Sequence, residues 1–114
     1  MGGSAMFIAM NRFQVVPEKA EEFERIWRER ETHLDGVPGF VRFALLRNGG
    51  GHGTPPNPGE YVSHSTWASR EAFMAWTQSE AFGKGHAQGS LMGILEGPPT
   101  VTLYDTVLEQ DAQS

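Results

Sequence analysis

Three residues carry side chains that could do chemistry in places where packing alone would choose otherwise: Asn11, Trp76 and His86. Asn11 interrupts the apolar face of a strand, formed by Phe7, Ala9, Phe13 and Val15. Its amide can donate or accept a hydrogen bond. His86 lies four residues beyond Phe82, in a stretch opened up by Gly83 and Gly85. Imidazole is a common ligand of metals and of haem iron, and the two glycines remove bulk from around it. Trp76 sits at the end of an amphipathic helix that carries Ala72 and Phe73 on the same face. Arg30 adds a cation to an otherwise apolar stripe, three residues after Trp27 and four before Leu34.

Each residue also has a plain structural reading. Asn11 can be a satisfied polar group near a sheet edge. Arg30 can extend past apolar surface to reach water, or pair with a ligand carboxylate through its planar fork. Trp76 can be core, like Trp27 and Trp67. His33, His52, His64 and His86 are the four histidines, and none stands at zinc-site spacing from a second ligand. The Gly49–Gly53 run does not join a strand to a helix, so it is not a phosphate-binding loop. There is no G-x-S-x-G elbow and no dinucleotide fingerprint.

The elements that must position these residues follow from periodicity. Phe7 to Val16 alternates as a strand. Pro17 and Glu18 open a helix expected to reach about Leu34, with Phe23, Ile26, Trp27 and Leu34 as its stripe. A turn at Asp35–Gly39 leads to a strand from Phe40 to Arg47. Residues 48–59 read as a long, mobile hairpin connection without periodicity. Glu60 to Trp67 is the third strand. Ser69 caps a helix running through Trp76, and Ser79 can cap a short one from Glu80 to about Gln88. A helical turn is expected at Leu91–Leu95 and a last strand over Thr100–Leu108.

The order β-α-β-β-α-β defines an α+β fold, the ferredoxin-like split βαβ pattern with helices on one sheet face. Phe40, Tyr61 and Tyr104 are expected to leave apolar surface on the open face, which favours a homodimer.

The 114 residues fit one domain, placed at residues 6–109. Residues 1–5 read as a disordered or added leader without signal-peptide character, and residues 110–114 as a polar tail. The net charge of −5 argues against a nucleic-acid partner. No apolar run is long enough for a membrane helix. Cysteine is absent, which excludes disulfides and thiolate chemistry and is compatible with a cytoplasmic location.

The segment Trp67-Ala68-Ser69-Arg70-Glu71-Ala72-Phe73-Met74-Ala75-Trp76, followed by Phe82 and His86, resembles the core of the antibiotic-biosynthesis monooxygenase (ABM) superfamily. The combination of Asn11, Trp76 and His86 is similar, more narrowly, to the IsdG-type haem-degrading monooxygenases. Asn11-Arg12, the Pro38-Gly39-Phe40 turn and the closing strand match as well. Two features depart from that family: the long, glycine-rich 48–59 loop and the Gly83-Lys84-Gly85 approach to His86.

The resemblance implies a protomer that dimerises into a central α/β-barrel, with haem as both cofactor and substrate. It implies that His86 is the proximal ligand of haem iron and that Asn11 is the distal amide beside bound dioxygen. Trp76 would press the porphyrin out of plane, Trp27, Arg30 and Phe82 would line the pocket, and Trp67 would be structural. The implied reaction cleaves the porphyrin with dioxygen and electrons from an external reductase, releasing iron and a bilin. Two other readings share the fold. One is a cofactor-free monooxygenase acting on a phenol or quinol. The other is a non-catalytic haem-binding or storage protein.

Overall fold

The computed structural model describes residues 6–29, 34, 36–79, 93–110 and 112. Four strands form one antiparallel sheet: β1 (Phe7–Gln14), β2 (Phe40–Arg47), β3 (Glu60–Trp67) and β4 (Thr100–Asp105), in the order β2-β3-β1-β4. Helices α1 (Ala20–Glu29) and α2 (Arg70–Thr77) complete the βαββαβ order. Strand β3 lies between β1 and β2, which is the split βαβ arrangement.

Alternation decides which side of the sheet is buried. Phe7, Ala9, Phe13 and Val15 are buried on one face, and β3 contributes Tyr61 and Trp67 in register opposite Phe13 and Phe7. The core divides into two clusters. One gathers Phe7, Ala9, Leu34, Trp67 and Phe73, with Trp76 packed against it. The other gathers Phe13, Val15, Phe23, Tyr61 and Ile94, with Ile26 and Trp27 against it. So α2 serves one end of the sheet face and α1 the other.

Local sequence explains the helix boundaries. Pro17 starts a 3-10 turn, Pro17–Lys19, with its fixed φ and no N–H to satisfy. The α-helix proper begins at Ala20, with Glu21 and Glu22 at its positive end. Leu34 is not helical, so the helix stops short of the expected end, and Leu34 joins the α2-side cluster instead. Ser69 caps α2 as expected: its Oγ accepts from the Ala72 N–H at 3.1 Å. Ser69→Ala should cost about 1 kcal/mol of stability, read as a fall in Tm of several degrees on thermal melting.

The strand limits at β2 and β3 agree with the expectation, but three other readings are revised. The 48–59 connection bonds to itself: Gly51 and Thr54 exchange backbone hydrogen bonds at 2.8 and 3.1 Å. The Glu60 carboxylate accepts from the Asn57 and Asn48 amides at 2.8 and 3.1 Å and from Arg12 at 3.3 Å, which lowers its pKa. Leu95 forms a bridge with Val15 rather than closing a helical turn, because Gly93 adopts φ +84°. Strand β4 ends at Asp105, opposite Phe7, where β1 begins, so Val107 and Leu108 have no strand to pair with and are exposed.

Tyr61 and Phe40 also move. Tyr61 is 2% exposed and packs its ring 4.8 Å from that of Phe23, on the helix side. Phe40 packs edge-on to Trp67 at 5.5 Å. Of the three aromatics assigned to the open face, Tyr104 alone lies there. Register places Ile8, Met10, Ala44, Leu46, Val62 and Tyr104 together on that face. Leu46 and Tyr104 are each 48% exposed.

Candidate active site

The helix-side face of the sheet has a middle strip between the two clusters. Register lays Val101, Asn11, Ser63 and Leu45 across it in one row. The next row is Leu103, Ala9, Ser65 and Phe43. Ala9, Ser63 and Ser65 make the middle of the strip a floor of small side chains, while the helix aromatics pack towards its two ends.

Asn11 lies on that floor, half-buried between Ala9 of one cluster and Phe13 of the other. Its Oδ1 is buried and accepts no hydrogen bond among the described residues. A buried, unmet acceptor costs about 1–3 kcal/mol. Among the described residues, then, the Asn11 carboxamide is not fully satisfied. Ser65, beside it, is committed: its Oγ accepts from Trp67 Nε1 at 3.0 Å and donates to the Ala9 carbonyl at 3.5 Å.

The two other described candidates approach from different helices. Trp27, on α1, stacks on Phe43 at 5.5 Å and 20°, and meets Phe13 edge-on at 5.9 Å. Trp76, on the last turn of α2, packs against Trp67 at 5.1 Å and Phe73 at 6.0 Å. Its carbonyl accepts from the Ser79 N–H at 2.9 Å and from the Ser79 hydroxyl at 2.6 Å, which closes the helix end. Trp27 and Trp76 are both half-buried, whereas Trp67 is fully buried and structural, as the sequence implies. The structure thus brings Asn11, Trp27 and Trp76 to one face of the sheet. Arg30, Phe82 and His86 lie outside the described residues, as does the helix expected over 80–88. His64 is on β3 opposite Met10, on the other side of the sheet, and His52 is in the exposed β2–β3 loop. Among the described residues no group of three carboxylates or histidines could hold a metal ion.

One cluster escaped sequence reasoning. Tyr61 donates to Glu24 Oε2 at 2.5 Å, Arg47 donates to the same oxygen at 2.8 Å, and Arg28 donates to Oε1 at 3.1 Å. The Tyr61 bond, aided by Arg47 and Arg28, holds the Glu24 carboxyl below its usual pKa against the opposing effect of burial. Burial, then the Glu24 charge, pushes the Tyr61 phenol up from 10.0 to about 12. The phenol is protonated more tightly in the folded state, so its contribution is full below pH 10. It is lost as pH rises through the folded value of about 12. Stability should therefore fall across that window, and Tyr61→Phe should flatten the slope in denaturant titrations run at successive pH values. Glu24 has the opposite sign: its contribution is present above the ordinary carboxylate pKa and is lost as pH falls through the lowered one.

A four-stranded antiparallel sheet with two helices on one face defines a ferredoxin-like α+β protein, and Asn11, Trp27 and Trp76 share that face. The family model described as antibiotic biosynthesis monooxygenase matches residues 6–88, and the chain belongs to that family. Solved structures share the fold. The heme-degrader MhuD from Mycobacterium tuberculosis, with two haems bound in its active site, is 25% identical over 92% of this chain and 99% of that one, with a TM-score of 0.70. A putative antibiotic biosynthesis monooxygenase from Bacillus cereus is 19% identical over 96% of this chain and 98% of that one, with a TM-score of 0.72. Another from Nitrosomonas europaea is 17% identical over 94% of each chain, with a TM-score of 0.66.

Proposed function

We propose that this chain binds haem on the helix-side floor and cleaves its porphyrin with dioxygen and external electrons, releasing iron and a bilin. The observation that carries the reading is Asn11: a buried amide oxygen without a hydrogen-bond donor among the described residues, on a floor of small side chains. A flat, apolar ligand suits a floor flanked by indoles, and Asn11 sets a single carboxamide on that floor. The likeness to haem-loaded MhuD supports the same choice over the phenol and storage alternatives.

Haem supplies both the iron that activates dioxygen and the ring that is oxidised. The chain supplies ligation, orientation and water exclusion. His86 would hold the iron through its neutral imidazole. The Asn11 amide would offer Nδ2 as a donor to dioxygen and so direct it. Trp76, Trp27 and Phe82 would line the ring, and Arg30 would pair with a ring carboxylate. Electrons come from a separate reductase.

Titration of the purified protein with haemin should give a saturating Soret change at about one haem per protomer. A linear, non-saturating absorbance rise would defeat the reading and favour the cofactor-free phenol or quinol monooxygenase.

The open sheet face belongs to the same proposal. Ile8, Met10, Val62, Leu46 and Tyr104 form an apolar surface that a second copy covers, giving the dimeric barrel. Sedimentation equilibrium should report a dimer at micromolar concentration. A monomer would refute this part.

A further inference from the structure

A recess between α1 and the edge strand β2 adjoins the Asn11 strip on the same sheet face and shares Leu45 and Phe43 with it. It has a volume of about 570 Å³, and its walls include Trp27, Phe43 and Leu45. Asn11 and Trp76 do not line it. The volume is within the range of small-molecule sites, as is the mix of apolar walls with a few convergent polar groups.

Its charged members are Arg28, Arg47 and Glu24, two guanidiniums against one carboxylate, which leaves a surplus of one positive charge on a chain of net charge −5. Each arginine gives Glu24 one hydrogen bond, from Arg28 Nη2 and Arg47 Nη1. A guanidinium has five N–H donors, so both keep donors for a further anion. Both side chains are exposed, at 74% and 67%. The Tyr61 hydroxyl also lines the recess, but its proton is already given to Glu24. Glu24 limits the choice of ligand. A single surplus charge suits a monoanion, whereas a dianion would meet the carboxylate at close range.

We propose that this lateral groove is a binding site for a planar aromatic carboxylate. The ring packs along the Trp27–Phe43 wall, and the carboxylate takes the spare Arg28 and Arg47 donors. The site shares Trp27 with the proposed haem pocket but takes its anion at Arg28 and Arg47, which the haem reading does not use, so it is tested on the haem-free chain.

The test uses the haem-free chain and 2-naphthoate as probe, followed by calorimetry and by amide and indole NMR shifts. Binding should saturate, with shifts centred on Leu46, Gly49 and the Trp27 indole. The neutral analogue 2-naphthalenemethanol should bind about tenfold more weakly, the size of one charge-assisted interaction. Arg47→Gln should weaken naphthoate to a similar extent, and Glu24→Gln should tighten it severalfold by removing the competing carboxylate. The comparison of acid with alcohol needs no variant, so it holds even if a substitution disturbs folding. Equal affinity for acid and alcohol, unchanged affinity in Arg47→Gln, shifts centred on Asn11, or no saturable binding would each overturn the proposal.

Discussion

His86→Ala is expected to abolish the ligated Soret spectrum of the haemin-loaded protein, while His52→Ala leaves it intact. The iron–imidazole bond gives the ligated spectrum its character, and no other side chain in this cysteine-free chain is expected to replace it. The choice among histidines rests on place. His52 is exposed in the β2–β3 loop between the bridged Gly51 and Thr54. His64 is across the sheet from Asn11. His86 follows the matching Trp67–Trp76 segment, within the span matched by the family model. Gly83 and Gly85 precede it in the sequence and carry no side-chain bulk. A full ferric spectrum retained in His86→Ala would show that another ligand is in use and would remove the proximal assignment.

Asn11→Ala and Trp76→Ala should do the reverse, keeping haem and losing turnover. Haem affinity is dominated by the apolar area of the ring and by the iron–imidazole bond, so either change should shift it by less than about tenfold. Turnover depends on where dioxygen points and how the ring is held. Losing one positioned donor of this kind costs about a hundredfold or more in rate. The structure gives Asn11 the means. Its Oδ1 is buried and accepts no hydrogen bond among the described residues, which leaves an unmet polar group on the floor. Stoichiometric haem titration and single-turnover absorbance on the same preparations would separate the two effects. Wild-type bleaching in both variants would take these residues out of the mechanism and favour haem storage.

The fold was legible where local signals agree. Strand β2 runs from the Pro38-Gly39 turn to the Asn48-Gly49 break, and its limits follow from those residues. Ser69 announces α2 because a hydroxyl before a helical run has few better uses. Gly39, at φ +82°, permits close packing: a Cβ there would overlap that of Ala72, so only glycine lets the turn pass beneath α2.

Long-range pairing was not legible. Tyr61 alternates in a strand of mixed character, and neither face of β3 is clearly apolar. Its burial follows from standing opposite Phe13, which the sequence does not state. Leu95 looked helical by spacing but is recruited by Val15 at the end of the sheet. The Glu24–Tyr61–Arg47 cluster joins residues 23 and 37 positions apart, so no window of sequence could display it. Asn11 was visible because it breaks a short-range pattern, an amide in an apolar alternation. That its Oδ1 is buried without a donor among the described residues required the floor of Ser63, Ser65 and Ala9 to be assembled.

The central claim is that haem bound here is consumed by the chain's own chemistry. The direct measurement is the absorbance of the stoichiometric haem complex after ascorbate is added in air, with an iron chelator present to report release. The account predicts loss of the Soret band, growth of bilin absorbance and chelated iron approaching the haem added, with none of these when dioxygen is excluded. A Soret band that persists in air, with the iron still in the ring, would contradict it.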